Sequence, residues 1–484
     1  MIASESNHTI EKKHNTASTN ASWILRRRST GCICCRRRVI HINCGCRNPL
    51  CGKTGSLRLT NHLTKEQKIA FRIGQHLGHL HPHSTWLELV FCRLGHSASV
   101  DLAALALAEA LDFHFGGKQD LQRSNAGFVC YGKAVRHLQG EIATPTKDFE
   151  DGSLIAVCML AILEVMMSSR SSYRRKTIFL HWSGLRSILL SKQPRDLSDV
   201  ARAVLYSLWD TTFGVAVGLG PPSPFDDARW LSVQPADLLE MTDYQRKSRK
   251  IANSVALRIP RLIQQLRQIR EGNSGPAMLQ YTTELALSLL ELRDEDAESR
   301  LLHEWTVSTT KDNNSRTIIP MSYSFATPDD FNAGMLNWNW RIAVINACFK
   351  LAEIHNPSAA LFDLEKLRQE RERASTHTMM CWEYAESIGP FETLWVAKGL
   401  LQVWPELRRL EAIRPTEYGQ QTQDWMLSRM NHPLNEWLSE IVSAEEMDMA
   451  ADFLVGGPMR GFISDAGMKA QWQGDATSLI DEAV

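Results

Sequence analysis

The pattern of apolar and polar positions along this chain is helical through most of its length. In the run from Leu154 to Met167 only Glu164 is polar, which predicts a helix buried on nearly all sides. Asp101 is placed to cap a run of alanine and leucine at residues 102–111. Alternating strand patterns are scarce. The sequence therefore predicts an all-α fold.

Further helical segments alternate with glycine and proline. Thr64 can cap a helix whose first turn offers Glu66 and Gln67 as acceptors. Helix-breaking stretches such as Gly220-Pro221-Pro222 and Gly456-Gly457-Pro458 mark connections between helices. The remaining predicted helices lie near residues 128–138, 175–191, 197–212, 238–271, 277–303, 333–355, 361–388 and 434–446.

Composition places the chain among soluble globular proteins. At 484 residues, with 44% hydrophobic and 22% charged residues, it can form one large domain or two medium ones beside a small module. The longest uninterrupted apolar run, Leu154–Leu163, is half of the roughly 20 residues that span a bilayer. We therefore expect no membrane partner.

Charge is distributed unevenly, although the formal net charge is zero. Between Glu11 and Glu66 there is no acidic residue, whereas twelve lysines and arginines lie from Lys12 to Lys65. Clustered cations gain affinity for nucleic acid by releasing counterions from phosphate. The amino-terminal segment is therefore predicted to bind a polyanion.

Six of the eleven cysteines lie between Cys32 and Cys51, a density typical of a small metal–thiolate module. Thiolates select Zn²⁺ or Cu⁺, and a segment this short depends on the metal for its folding energy. The first twenty residues are polar and carry no secretory signal, so we expect a reducing compartment and metal ligands rather than disulfides. Scattered cysteines that are typical of buried thiols are Cys92, Cys130, Cys158, Cys348 and Cys381.

The sequence Gly31-Cys32-x-x-Cys35-Arg36-Arg37-Arg38 resembles the opening of the fungal Zn₂Cys₆ binuclear cluster. The stretch from Pro49 through Cys51 to Gly55 resembles the end of that cluster. The resemblance implies six cysteines around two zinc ions and a basic helix in the major groove of double-stranded DNA. It also implies residence in the nucleus, with the arginine triplets as a possible import signal.

The spacing departs from that family after the second cysteine. Cys44 comes two residues later than the family's third cysteine, and four residues rather than two separate Cys46 from Cys51. Arg58 stands where the sixth ligand is expected. A two-metal site in the family's geometry is therefore not the only interpretation.

Four interpretations of the module remain: a distorted two-zinc cluster, one Zn²⁺ on four thiolates with or without His41, a metallothionein-like knot, and a basic tail without metal. A gene-model error across residues 39–58 would also explain the spacing. The candidate ligands of one or two Zn²⁺ ions are Cys32, Cys35, Cys44, Cys46 and Cys51. The candidate DNA contacts are Arg36, Arg37, Arg38, His41 and Lys53.

Short motifs follow the module in order: Leu94-Gly-His-Ser97, Tyr131-Gly-Lys-Ala-Val135, His181-Trp-Ser-Gly184 and Phe225-Asp-Asp-x-x-Trp230. Their order resembles the fungal-specific transcription factor domain that accompanies Zn₂Cys₆ modules. The implied organisation is a disordered arm at 1–25, a degenerate Zn₂Cys₆-like module at 26–58, a linker at 59–79, an all-helical regulatory domain at 80–470 and a tail at 471–484.

The sequence contains no recognisable catalytic motif, such as a nucleophile elbow, a Walker loop or His-Glu-x-x-His. Glu164 and His181 are interpreted as paired packing residues rather than as acid–base groups. We expect a DNA-binding transcription regulator, not an enzyme, and a homodimer is one possible assembly. The alternatives are a regulatory or interaction protein whose module no longer reads DNA, and a helical enzyme with dispersed catalytic residues.

Overall fold

Helix dominates the part of the chain that the structure, a computed structural model, describes. Helix accounts for 79% of those residues and strand for 3%, which confirms the predominantly helical prediction. Contacts divide the chain after Lys68, and nearly all of the described residues belong to the second unit, Ile69–Val484. The described residues are 64–77, 89–91, 93–115, 121–143, 151–168, 181, 184–206, 223–234, 242–355, 361–413, 415–431 and 442–458.

The amino-terminal helices are α1 (Lys65–Leu77), α2 (Ala98–Phe115), α3 (Leu121–Ile142) and α4 (Asp151–Ser168), followed by helical residues 184–190 and 199–206. The later elements are α5 (Ala228–Leu231), α6 (Asp243–Arg270), α7 (Pro276–Glu291), α8 (Glu295–Glu304), β1 (Thr306–Thr309), α9 (Asn313–Arg316), β2 (Met321–Ser324), α10 (Pro328–Ile354), α11 (Leu364–Met380), α12 (Trp382–Ile388), α13 (Pro390–Ile413), α14 (Glu417–Met430) and α15 (Ala444–Phe453).

Helices α2 and α3 pack against the apolar helix α4. Residues 154–161 of α4 are all buried, and α2 packs against both α3 and α4. The predicted cap of α1 is present, because Gln67 N–H donates to Thr64 Oγ1 over 3.2 Å and Thr64 N–H donates back to Gln67 Oε1 over 2.9 Å. The burial predicted for α4 is confirmed, because its residues 154–161 are all buried.

Helix α10 is central to the later helices and packs against α6, α7, α8, α11 and α13. A capping box starts α10, in which Thr327 and Asp330 exchange side-chain and backbone hydrogen bonds. The largest fully buried side chains of this region are Trp338, Trp382 and Trp404. Burial of aromatic area on this scale contributes much of the packing energy of the core.

A short antiparallel hairpin interrupts the helices between α8 and α10. Strand β1 pairs with β2 in a register that places Thr306 opposite Ser324 and Thr309 opposite Met321. Tyr323 points into the core, whereas all four residues of β1 are exposed. The hairpin was not predicted, because four-residue strands rich in serine and threonine carry little hydrophobic alternation.

Several predicted helix bounds were wrong. The stretch 277–303 contains two helices, since Asp294 accepts a hydrogen bond from Ala297 N–H and starts α8 anew. The stretch 361–388 is likewise divided at Cys381 into α11 and α12. Helices α13 and α14 were not predicted, and the segment 434–446 overlaps only the start of α15, with residues 432–441 outside the described residues.

Among the described residues, no helix combines the length and apolar character that a bilayer crossing requires. Three of the scattered cysteines, Cys158, Cys348 and Cys381, are buried as predicted. Cys130 is only half-buried, and Cys92 lies outside the described residues.

Candidate functional site

The amino-terminal module predicted from the sequence lies outside the described residues. This applies to the metal ligands Cys32, Cys35, Cys44, Cys46 and Cys51 and to the DNA contacts Arg36, Arg37, Arg38, His41 and Lys53. Zinc binding and DNA binding therefore stay predictions from the sequence.

The described part of the chain contains no group of three or more His, Cys, Asp or Glu side chains that could hold a metal ion. Burial raises the pKa of the Cys158 and Cys381 thiols and raises that of Cys348 to about 12. These thiols stay protonated at neutral pH and act as apolar packing groups.

A first polar cluster joins three of the residues singled out in the sequence. Tyr131 on α3 donates its hydroxyl hydrogen bond to Glu164 Oε1 on α4. His181 Nε2 lies 3.0 Å from Tyr131 Oη and 3.5 Å from Glu164 Oε1. Burial, together with the hydrogen bond to Glu164, raises the pKa of Tyr131 well above its usual range, so the phenol remains a donor.

This cluster ties α3, α4 and the segment at residue 181 together through one buried carboxylate. Glu164 is paired and His181 is hydrogen-bonded, as the sequence predicted. A buried carboxylate that accepts from a phenol and lies beside an imidazole is compensated for its lost hydration. The geometry therefore accounts for the three residues as a structural connection between helices.

A second cluster surrounds His377, close to the end of α11. His377 Nδ1 lies 2.7 Å from Tyr323 Oη on β2, and the imidazole stacks on the indole of Trp338 in α10 with 4.7 Å between ring centroids. Trp305, between α8 and β1, meets Trp338 edge to face at 5.0 Å. The hairpin and three helices thus bring four ring side chains into one cluster, in which the rings of His377, Trp338 and Tyr323 are stacked and Trp305 contacts the last two edge to face.

Burial sets the protonation of this second cluster. It lowers the pKa of His377 to about 4, with a further decrease from Arg373 that Glu298 opposes. It also raises the pKa of Tyr323 to about 12. Both side chains are therefore neutral, and the imidazole tautomer decides whether Tyr323 Oη or His377 Nδ1 donates the hydrogen bond between them.

A network of ion pairs borders the second cluster. Arg373 donates to Glu298 Oε1 over 2.6 Å, and Arg293 reaches both Glu298 and Glu370 over 3.3 Å. Arg341 forms a bidentate pair with Glu370 at 2.7 and 3.0 Å. The network connects α8, α10 and α11, and two of its members, Arg373 and Glu298, act on the pKa of His377.

The second cluster was not predicted from the sequence. His377 lies in the polar segment Leu364–Met380, which is typical of a solvated helix, and Tyr323 belongs to the unpredicted hairpin. Closely spaced Trp338 and Trp340 were the available signal, but such residues are usually core.

Comparisons of the chain with protein-family models, with curated proteins and with solved structures found no match. The resemblance to fungal regulators therefore depends on the sequence motifs alone.

Proposed function

We propose that this protein is a DNA-binding transcription regulator of the fungal Zn₂Cys₆ type with a helical regulatory region. The observation that carries the proposal is the segment from Lys12 to Lys65, which holds six cysteines and twelve basic residues but no acidic residue. Thiolates at this density bind zinc, and arginines beside them bind phosphate and base edges.

The helical region supports a regulatory role in this proposal. It follows the basic segment in the chain, and its motifs keep the order found in fungal-specific transcription factor domains. A regulator of this kind acts in the nucleus on double-stranded DNA and holds one or two Zn²⁺ ions. In our proposal the helical region senses or relays a signal to the DNA-binding segment.

The alternative is a regulatory or interaction protein that keeps the helical region but no longer reads DNA. The departures from the family spacing at Cys44 and Arg58 favour this alternative. It differs from the first proposal in one measurable property, which is salt-dependent binding of duplex DNA by the intact chain.

Zinc content tests the proposal first. We expect full-length protein purified without added chelator to contain one or two zinc ions per chain by elemental analysis. The double variant Cys32→Ser with Cys35→Ser should lose at least one ion, because this pair has the best-matched chelate spacing. The matched control is Cys130→Ser, a half-buried thiol of the helical region, which should keep the wild-type zinc content.

Duplex binding then separates the two functions. Fluorescence anisotropy of a labelled random-sequence duplex should show binding by the intact chain at low salt and weaker binding by the zinc-free variant. A wild-type chain that holds zinc but leaves the duplex unbound at 50 mM salt would favour the alternative. A chain without zinc would contradict the metal–thiolate module itself.

A further inference from the structure

The outer edge of strand β1 is open. Strand β1 pairs with β2 in a two-stranded sheet, and all four of its residues are exposed. Strand β2 packs against α11 and α12, whereas no second strand lies beside β1 among the described residues. An open edge presents backbone N–H and C=O groups that can pair with a further strand.

Thr310 shows which backbone groups of β1 face outward. Its N–H donates to the Pro320 carbonyl over 3.1 Å, so these two residues form a hydrogen-bonded pair of the antiparallel ladder. Such pairs alternate along a strand, so the backbone of Ser308 also faces β2. The N–H and C=O groups of Val307 and Thr309 therefore face away from β2.

The sequence of β1, Thr-Val-Ser-Thr, contains none of the residues that commonly block an open edge. It has no charged side chain and no proline. Its pairing with β2 is regular over all four residue pairs, so no bulge turns the edge away. Threonine and valine also favour extended backbone. The edge is therefore suited to pairing with a strand.

This edge is complementary to itself. When two copies of β1 lie antiparallel with Ser308 on a twofold axis, Val307 of each copy is opposite Thr309 of the other. Every outward N–H of β1 then donates to an outward carbonyl of the second copy. Ser308 faces its own copy across the axis, and its hydroxyl group can both donate and accept.

Side chains on one face of the hairpin support the same pairing. Thr309 is opposite Met321 in the ladder, so Val307, Thr309 and Met321 share a face. Val307 is 48% exposed and Met321 is 38% exposed. In the paired sheet Val307 of one copy would lie beside Thr309 of the other, with Met321 next in the row. The pairing would thus remove exposed apolar area from water.

Charges at the two ends of β1 are complementary. Glu304 precedes the strand and Lys311 follows it, and both residues are exposed. Antiparallel pairing brings Glu304 of one copy close to Lys311 of the other at each end of the paired strands. Asp312, one residue further on, is already paired with Arg429 over 2.7 Å. The charges therefore favour a second copy of this chain as the partner.

We propose that two copies of this protein associate through β1 and form a four-stranded antiparallel sheet in the order β2-β1-β1-β2. A strand this short buries less than the roughly 1,200–2,000 Å² of a standard interface, so we expect a weak dimer with a Kd of about 10–100 µM. The inference goes beyond zinc and DNA binding and does not depend on either.

Sedimentation velocity of the full-length protein between about 5 and 300 µM tests the association. We expect the sedimentation coefficient to rise with concentration from that of a monomer to that of a dimer. Thr309→Pro removes an outward N–H that β2 does not use, so the hairpin should persist and the Kd should increase at least tenfold. The matched control Thr309→Val keeps the N–H and a branched side chain and should dimerise like the wild type.

Ser308→Cys tests the position of the twofold axis. Residues opposite each other in a non-hydrogen-bonded pair have Cα atoms about 4.5 Å apart, which is within disulfide range. Mild oxidation should therefore join residue 308 of the two copies, and mass spectrometry should identify the linked peptide. The matched control is Thr306→Cys, which is equally exposed but lies about 13 Å from its own copy along the strands and should not cross-link.

A wild-type chain that stays monomeric up to 300 µM would overturn the proposal and would instead favour an extended segment of another protein as the partner. Unchanged dimerisation of folded Thr309→Pro, or dimerisation lost alike in Thr309→Val, would overturn it as well. Equal cross-linking at residues 306 and 308 would contradict the register. This comparison decides the matter if Thr309→Pro does not fold.

Discussion

Glu392 is a buried carboxylate in the first turn of α13. It is 2% exposed, and its Oε2 atom has no hydrogen-bond partner among the described residues. Burial raises its pKa from an ordinary value of 4.5 to about 7, although a backbone hydrogen bond opposes the increase. Because the native state holds this proton more tightly than the unfolded state, ionisation of Glu392 opposes folding.

The first prediction concerns Glu392→Gln. The contribution of Glu392 to the free energy of unfolding should be fully favourable below pH 4.5 and should fall as the pH rises to about 7. The loss amounts to about 3 kcal/mol. Glu392→Gln should therefore be more stable than the wild type at pH 8 and nearly equal at pH 5, as measured by urea unfolding.

The control for this prediction is Glu372→Gln on the exposed side of α11. Its stability relative to wild type should change little between pH 5 and pH 8. Parallel stability profiles of Glu392→Gln and wild type across this range would show that Glu392 is not the buried titrating group we infer.

The two buried glutamates show what the sequence could predict at the residue scale. Pairing of Glu164 was predictable, because a single carboxylate in a long apolar run cannot stay buried without a partner. Burial of Glu392 depends instead on the tertiary packing of α13, whose partner helices include α10, far away in the sequence. The hydrogen bond of His377 also depends on tertiary packing, because its partner Tyr323 precedes it by 54 residues.

At the scale of elements, α10, α11 and α13 meet along a buried polar seam. Asn346 Nδ2 on α10 donates to the Gln402 carbonyl on α13 over 2.8 Å, and Arg371 on α11 donates to Asn346 Oδ1 over 3.1 Å. Arg371 is also paired with Glu406 on α13 and lies 4.0 Å from the Phe349 ring centroid. These contacts fix the register of three helices, since a shift would leave buried charges unpaired.

Gly399 lies where α13 approaches α10 and α11 closely, and Gly399→Ala is the second prediction. A Cβ atom there would lie 2.6 Å from Thr378 Cγ2 and still closer to Asn339 Oδ1, so α10, α11 and α13 would have to separate. We expect the free energy of unfolding to fall by about 1–3 kcal/mol. Denaturant unfolding at neutral pH measures the change.

Gly140→Ala on α3 is the matched control, because a Cβ atom at Gly140 meets nothing within 4 Å. Alanine is the better helix former, so this variant should gain about 0.5–1 kcal/mol. If both glycine variants were stabilised alike, the close approach at Gly399 would be refuted.

The third prediction concerns the buried helix α4. Leu160 is fully buried there, so Leu160→Asp would place an unpaired carboxylate in the core at a cost of several kcal/mol. That cost is comparable with the roughly 5–15 kcal/mol stability of a whole domain. We expect loss of the cooperative thermal transition or aggregation.

Val129→Asp on α3 is the control for this substitution, because Val129 is 55% exposed. This variant should melt cooperatively within a few degrees of wild type. Soluble Leu160→Asp protein with a wild-type melting profile would contradict the central position of α4.

The helices that were predicted have a local sequence pattern that indicates helix, whereas those that were missed depend on packing against other helices. Helix α4 is encoded locally by an apolar run, with the acidic Asp151 in its first turn. Helix α13 contains Pro405, which removes a backbone donor and normally predicts a helix end, while packing against α10 and α14 keeps the helix continuous. Helix α14 is mostly polar, so its periodicity is weak.

At the scale of the whole molecule, the chain separates its charges by position. The acid-free segment from Lys12 to Lys65 is balanced by an acidic excess in the rest of the chain, because the net charge is zero. Duplex DNA should therefore contact the amino-terminal segment, and the helical region should repel phosphate.

The last prediction tests this separation of charge with the triple variant Arg36→Ala, Arg37→Ala and Arg38→Ala in the full-length protein. Each phosphate contact contributes about 0.9 to the slope of log affinity against log salt, so the slope should fall by up to about 2.7. The measurement is anisotropy of a labelled duplex between 50 and 200 mM salt. A control with the same charge change replaces Lys133, Arg136 and Lys250, three exposed residues of the helical region, by alanine and should keep the wild-type slope. Equal slopes for wild type and the arginine variant, or a reduced slope for the control alone, would move the DNA contact away from the amino-terminal segment.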